Sequence, residues 1–113
     1  MKRVPRTISE KSIEVSILEW LKLKGIFAWK VENGGVYNQK RGVHIFSRTR
    51  TPGVADIIGI YNGKALAIEV KSEKGRLSDQ QKDFLNRFEL EGGIVIVARS
   101  IEDVSSGLAK AVA

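Results

Sequence analysis

Three residues carry side chains that could do chemistry together: Asp56, Glu69 and Lys71. Glu69 and Lys71 belong to Leu66-Ala67-Ile68-Glu69-Val70-Lys71, an otherwise apolar run that reads as a strand. Strand side chains alternate faces, so Ile68 and Val70 point one way and Glu69 and Lys71 the other. Charge on the face of an apolar strand is costly unless it is paired or holds an ion. The run before it, Pro52-Gly53-Val54-Ala55-Asp56-Ile57-Ile58, has Asp56 as its lone acid. Asn62-Gly63 between the two runs is a hairpin turn. If paired residue numbers across that turn sum to about 125, Asp56 sits opposite Glu69. Neighbouring carboxylates raise each other's pKa unless a cation lies between them. A hard divalent ion such as Mg²⁺ suits such a pair.

This group fits phosphodiester hydrolysis. Asp56 and Glu69 would hold the metal, joined by the backbone carbonyl of Val70. The metal would polarise the phosphate and acidify water. Lys71 would orient that water or stabilise charge in the transition state. An isolated Glu-x-Lys is often a surface salt bridge, and the competing reading of the whole group is a cross-strand ion network. The Pro-Gly-x-x-Asp run and the Asn-Gly turn make the metal site the stronger one.

The elements that must position these groups follow from periodicity. Ser9 to Lys24 predicts a helix, capped by Thr7 or Ser9 and ended by Gly25, with Ile13, Ile17, Leu18, Trp20 and Leu21 as its apolar stripe. Glu14 points along that stripe, and Glu10 lies close by; either can supply a third carboxylate, and Glu10 can equally be a helix cap. Ile26 to Val31 predicts a strand. Residues 32 to 53 are long for a bare connection, so they should be functional or partly a hairpin, with Val43 to Phe46 as a short strand. Strands are expected at Val54–Tyr61 and Lys64–Lys71, a helix from Asp79 to Leu90 capped by Ser78, and a helix over Ile101–Val112. The all-apolar Ile94–Ala98 is expected at a sheet centre. Setting the Val43 strand aside, the order is α-β-β-β-α-β-α, an α/β fold with a mixed central sheet flanked by helices.

The 113 residues suit one domain, 1–113, with a net charge of +6. The first fifty residues hold eleven Lys and Arg against four acids, whereas the remainder holds eight against nine. A basic surface beside an acidic pocket suits a protein that grips phosphates and cuts one of them. Lys40, Arg41, Arg48 and Arg50 precede Asp56 and are expected to contact phosphates; Lys74 and Arg76 are weaker candidates. With no cysteine, disulfides and cysteine-bound zinc are excluded, and a cytoplasmic setting fits. No apolar run is long enough for a membrane span.

Several stretches, in this order, resemble the VRR-NUC branch of the PD-(D/E)XK nuclease superfamily. They are Ser9-Glu10-Lys11-Ser12-Ile13-Glu14, Thr51 to Gly59, Ala67 to Ser72, Gly75 to Leu85, and Gly92 to Ala98. The resemblance covers about residues 9 to 104. It implies a restriction-endonuclease-like core and a nuclease needing Mg²⁺ or Mn²⁺, with Asp56, Glu69 and Lys71 as the catalytic set. Glu14 matches the family's first-helix acid best, with Glu10 the alternative. Gln81 matches a polar position near the site, although a capping box with Ser78 would explain it too. The chain is similar to small stand-alone members that act as dimeric Holliday-junction resolvases. Branched DNA is therefore the expected substrate. A homodimer is expected as well, since two-fold symmetry would place two sites on opposed strands. A flap, nicking or restriction-type nuclease is the alternative, as is a DNA-binding module of the same fold that cuts nothing.

Overall fold

The computed structural model describes residues 8–32, 36–45 and 50–113, with the backbone alone for 36–38 and 43–45. Thr7 and Arg48 lie outside the described residues. Helix α1, Glu10–Leu23, is capped by Ser9, whose side chain accepts the Ser12 N–H at 3.1 Å. Its buried stripe is Ile13, Ile17 and Leu21, with Leu18 and Trp20 packed beside it. Strand β1, Phe27–Lys30, follows, and then the segment before Asp56 forms a hairpin of β2, Val36–Asn38, and β3, Val43–Ile45. Strands β4, Ile57–Tyr61, and β5, Lys64–Val70, flank the Asn62-Gly63 turn. Asn62 and Gly63 both take positive φ, as a tight turn matched to strand twist requires. Helix α2, Asp79–Leu90, strand β6, Ile94–Ala98, and helix α3, Ile101–Ala111, complete the chain. With the hairpin set aside, the expected element order holds.

The main sheet runs β1-β4-β5-β6. The β1/β4 and β4/β5 pairs are antiparallel, whereas β5/β6 is parallel, with α2 as the crossover. Helices therefore lie on both faces. Ile57, Leu66, Ile68, Val70, Ile96 and Ala98 pack against α1 and α3 on one face. Ala55, Ala67, Val95 and Val97 pack against Leu85, Phe84 and Phe88 of α2 on the other.

Strand β6 is not at the sheet centre. Among the described residues it pairs with β5 alone and closes one edge of the sheet. Its run of apolar residues reflects cover on both faces, by α3 below Ile96 and by α2 above Val95 and Val97. A strand buried on both faces reads as continuously apolar wherever it sits in the sheet order. Among the described residues, no helix is long and apolar enough to cross a membrane.

Candidate active site

The β4/β5 register pairs Ile57 with Ile68 and Ile58 with Ala67. One step further along this ladder Asp56 falls across from Glu69. Directly opposed residues of antiparallel strands share a face. Both acids therefore lie on the α2 side, at the end where β4 begins and β5 stops. The backbone of Asp56 is fixed by its carbonyl, which accepts the Val31 N–H at 2.7 Å. Its carboxylate is fixed by Oδ2, which accepts the Val70 N–H at 2.8 Å. Asp56 thus spans the gap between β1 and β5 just before its own strand starts.

Glu69 is 1% exposed. Its Oε1 accepts a hydrogen bond from Gln81 Nε2 at 3.0 Å and lies 3.8 Å from Lys71 Nζ. Among the described residues, its buried Oε2 has no hydrogen-bond partner. Lys71 is 8% exposed, and its backbone N–H extends the parallel ladder to Ala98 O at 2.9 Å. Gln81 serves two neighbours at once. Its Oε1 accepts the Ser78 N–H at 2.9 Å, closing the capping box of α2, while its Nε2 reaches Glu69. Gln81 can close the capping box and reach Glu69 together because the amide has an acceptor and a donor to share.

Burial, and next the negative charge of Asp56, push the Glu69 carboxyl from its ordinary 4.5 up to about 8; the Lys71 ammonium opposes them. A carboxyl whose pKa is raised on folding stabilises the fold when protonated. That stabilisation is complete below the unfolded value and is lost as the pH rises through the folded one. Across this window the loss runs at up to about 1.4 kcal/mol per pH unit. The melting temperature of the metal-free protein is accordingly expected to fall between pH 5 and pH 9, and Glu69→Gln is expected to flatten that fall. Equal slopes in thermal melts of the two proteins would contradict the assignment.

The donors on this face are hard oxygens, and the orphaned Glu69 Oε2 is one of them. Mg²⁺ keeps several waters and is commonly held by one or two carboxylates together with substrate phosphate. Asp56 and Glu69 fit that demand. Among the described residues, no group of three or more His, Cys, Asp or Glu gathers at one point. Glu14 pairs instead with Lys30, at 3.2 Å, and holds the Lys30 pKa up. Glu10 is exposed in the first turn of α1. Helix α1 packs on the sheet face opposite α2, and helical direction alone could not reveal which face that would be. Lys40 and Arg41 are exposed at the turn between β2 and β3. Arg50, Lys74 and Arg76 are exposed on the segments leading into and out of the acid pair.

Two contributions to the site were not anticipated from sequence. Gly53 sits against the first turn of α2, so close that a Cβ there would lie 2.2 Å from Gln80 O. Arg99, one residue past β6, hydrogen-bonds the loop after Lys71. The pairing of Val70 with Ala98 would have placed Arg99 beside Lys71, but only a parallel register known in advance gives it.

A family model described as VRR-NUC domain matches residues 8–102. A solved structure described as a VRR_NUC domain protein has 18% sequence identity to the chain and a TM-score of 0.68, covering 95% of this chain and 90% of that one. No curated protein matches the chain.

Proposed function

The chain belongs to the VRR-NUC family and has the restriction-endonuclease-like fold of a nuclease domain, and from this we propose that it is a Mg²⁺- or Mn²⁺-dependent endodeoxyribonuclease acting on branched DNA as a homodimer. The observation that carries the reading is the buried, unpartnered Oε2 of Glu69 on the sheet face shared with Asp56. Such an atom costs free energy in a finished fold and stabilises the fold once a cation meets it.

Asp56, Glu69 and the Val70 carbonyl would hold the ion; Glu14, paired with Lys30 on the helix that packs on the other sheet face, and the exposed Glu10 would have to leave those positions to join them. When bound, the divalent ion supplies positive charge that polarises a phosphodiester and acidifies water. The Asp56 backbone and carboxylate are fixed at two points, so the acid is pre-set rather than recruited. Gln81 holds Glu69 Oε1 and would leave Oε2 for the ion. The Lys71 ammonium, 3.8 Å from Glu69 Oε1, would stabilise charge building on the phosphate or orient the attacking water. Lys40, Arg41, Arg48, Arg50, Lys74 and Arg76 would contact the DNA backbone on either side of the cut.

The test is incubation with Mg²⁺ or Mn²⁺ and end-labelled junction, flap, fork, duplex and single-stranded DNA, with Asp56→Ala and Lys71→Ala as controls. Symmetric nicks in a four-way junction, absent with EDTA and in both variants, are the expected result. Binding of DNA without metal-dependent cutting would replace this reading with that of a non-catalytic module. A monomer by light scattering, under conditions of full junction cleavage, would remove the dimer.

A further inference from the structure

Past Lys71 the chain turns sharply through Ser72, Glu73, Lys74 and Gly75 before reaching α2. One nitrogen holds that turn together. Arg99 Nη1 donates to the carbonyl of Ser72, to that of Gly75 at 2.7 Å and to that of Glu73 at 3.3 Å. Three carbonyl dipoles converge on one cationic donor, an arrangement that would repel itself without the cation. The loop is also closed by the Gly75 N–H, which donates to Ser72 O at 3.1 Å.

The loop in turn rests on Lys71. A Cβ built on Gly75 would lie 3.4 Å from Lys71 Cδ and 3.1 Å from Ser72 Oγ, so the turn folds back over the lysine stem. Arg99 itself is anchored. Its N–H donates to Asp103 Oδ2 at 2.8 Å, in the first turn of α3, and its neighbour Ala98 accepts the Lys71 N–H at 2.9 Å. The end of β6 therefore grips Lys71 by its backbone and, one residue on, grips the loop that lies over its side chain.

We propose that Arg99 is a positioning residue for Lys71: by tying the Ser72–Gly75 carbonyls to the end of β6 it holds the loop that confines the lysine stem beside Glu69. Its kinetic consequence rests on the nuclease reading above. An ammonium held on a long flexible stem stays effective only while its surroundings restrict it, and displacement of a catalytic group by about 1 Å can cost as much as a hundredfold in rate.

The experiment compares the full-length wild type with Arg99→Gln and Arg99→Lys on a labelled four-way junction with Mg²⁺, together with amide hydrogen exchange without DNA. Arg99→Gln is expected to lower kcat by about tenfold or more while KM moves by less than about twofold. Arg99→Lys, whose ammonium offers three donors to the same three carbonyls, is expected to recover most of that loss. Exchange at residues 73 to 76 should quicken in the glutamine variant and not in the lysine variant, with both proteins still melting cooperatively. An unchanged kcat would overturn the proposal. A raised KM with a salt dependence shallower by about one charge would make Arg99 a phosphate contact instead. Equal impairment of both variants, with faster exchange across the whole sheet, would reduce Arg99 to a fold-stabilising role and overturn it too. If the wild type cuts no DNA, the nuclease reading fails, while exchange at residues 73 to 76 still decides whether Arg99 holds the loop.

Discussion

Glu69→Ala is expected to lower cleavage by at least about a thousandfold, roughly 4 kcal/mol of lost transition-state stabilisation, while DNA binding is retained or tightened. The two effects have one origin. Glu69 presents a carboxylate, buried on the sheet face shared with Asp56, where on the proposed reading it would hold a divalent ion. Removing it would leave Asp56 and backbone oxygen, too little negative charge to keep such an ion in place against water. It also takes a negative charge away from beside the incoming phosphate, so the uncut DNA meets less repulsion. Single-turnover cleavage and a fluorescence-anisotropy titration, both on the same junction, separate the two quantities. Retention of near-normal turnover by the alanine variant would end the metal-site assignment, because no neighbour among the described residues offers a replacement carboxylate at that position. Loss of binding along with cleavage would point to a structural role for the Glu69–Gln81–Ser78 chain of hydrogen bonds.

The pairing of Asp56 with Glu69 was legible because every step to it is local. The Asn62-Gly63 turn sets the register, the register sets which residues oppose, and strand alternation sets the shared face. The observed Ile57–Ile68 pair has the sum expected from sequence. The capping box at Ser78 and Gln81 was legible for the same reason, being written within four residues. Long-range placement was not. The apolar run of β6 gave its burial but not its position at the edge. The stripe of α1 gave the direction of Glu14 relative to Ile17 and Leu21 but not the partner that meets it, which is Lys30 from β1. Arg99 stands between a strand and a helix with no local motif around it, and its hydrogen bonds go to a loop 24 to 27 residues away. Local rules therefore found the acids and missed the residues that fix the backbone around them.

Gly53 is the position where that missing information has the largest predicted consequence after the acids themselves. It has φ +70, and a Cβ built there would meet Gln80 O at 2.2 Å, Gln80 C at 2.3 Å and Gln81 N at 2.7 Å. All three are backbone atoms in the first turn of a helix, so no side chain can swing aside. Gly53→Ala must separate the Pro52–Asp56 segment from α2 by about 1 Å to reach ordinary contact. One side of that separation carries Asp56, and the other carries Gln81, which holds Glu69. The expected result is a rate lowered by roughly a hundredfold together with a clear loss of stability. Gly63→Ala supplies the control. Gly63 also has positive φ, at +78, but among the described residues nothing lies within 4 Å of its Cβ position. It should therefore bear only the conformational cost of about 1–2 kcal/mol and keep its cleavage rate. Measuring kcat and the melting temperature for both variants isolates close approach from backbone strain. If the two lose the same activity, the contact between Gly53 and α2 does not position the site, and the Pro-Gly pair before Asp56 serves only to turn the chain.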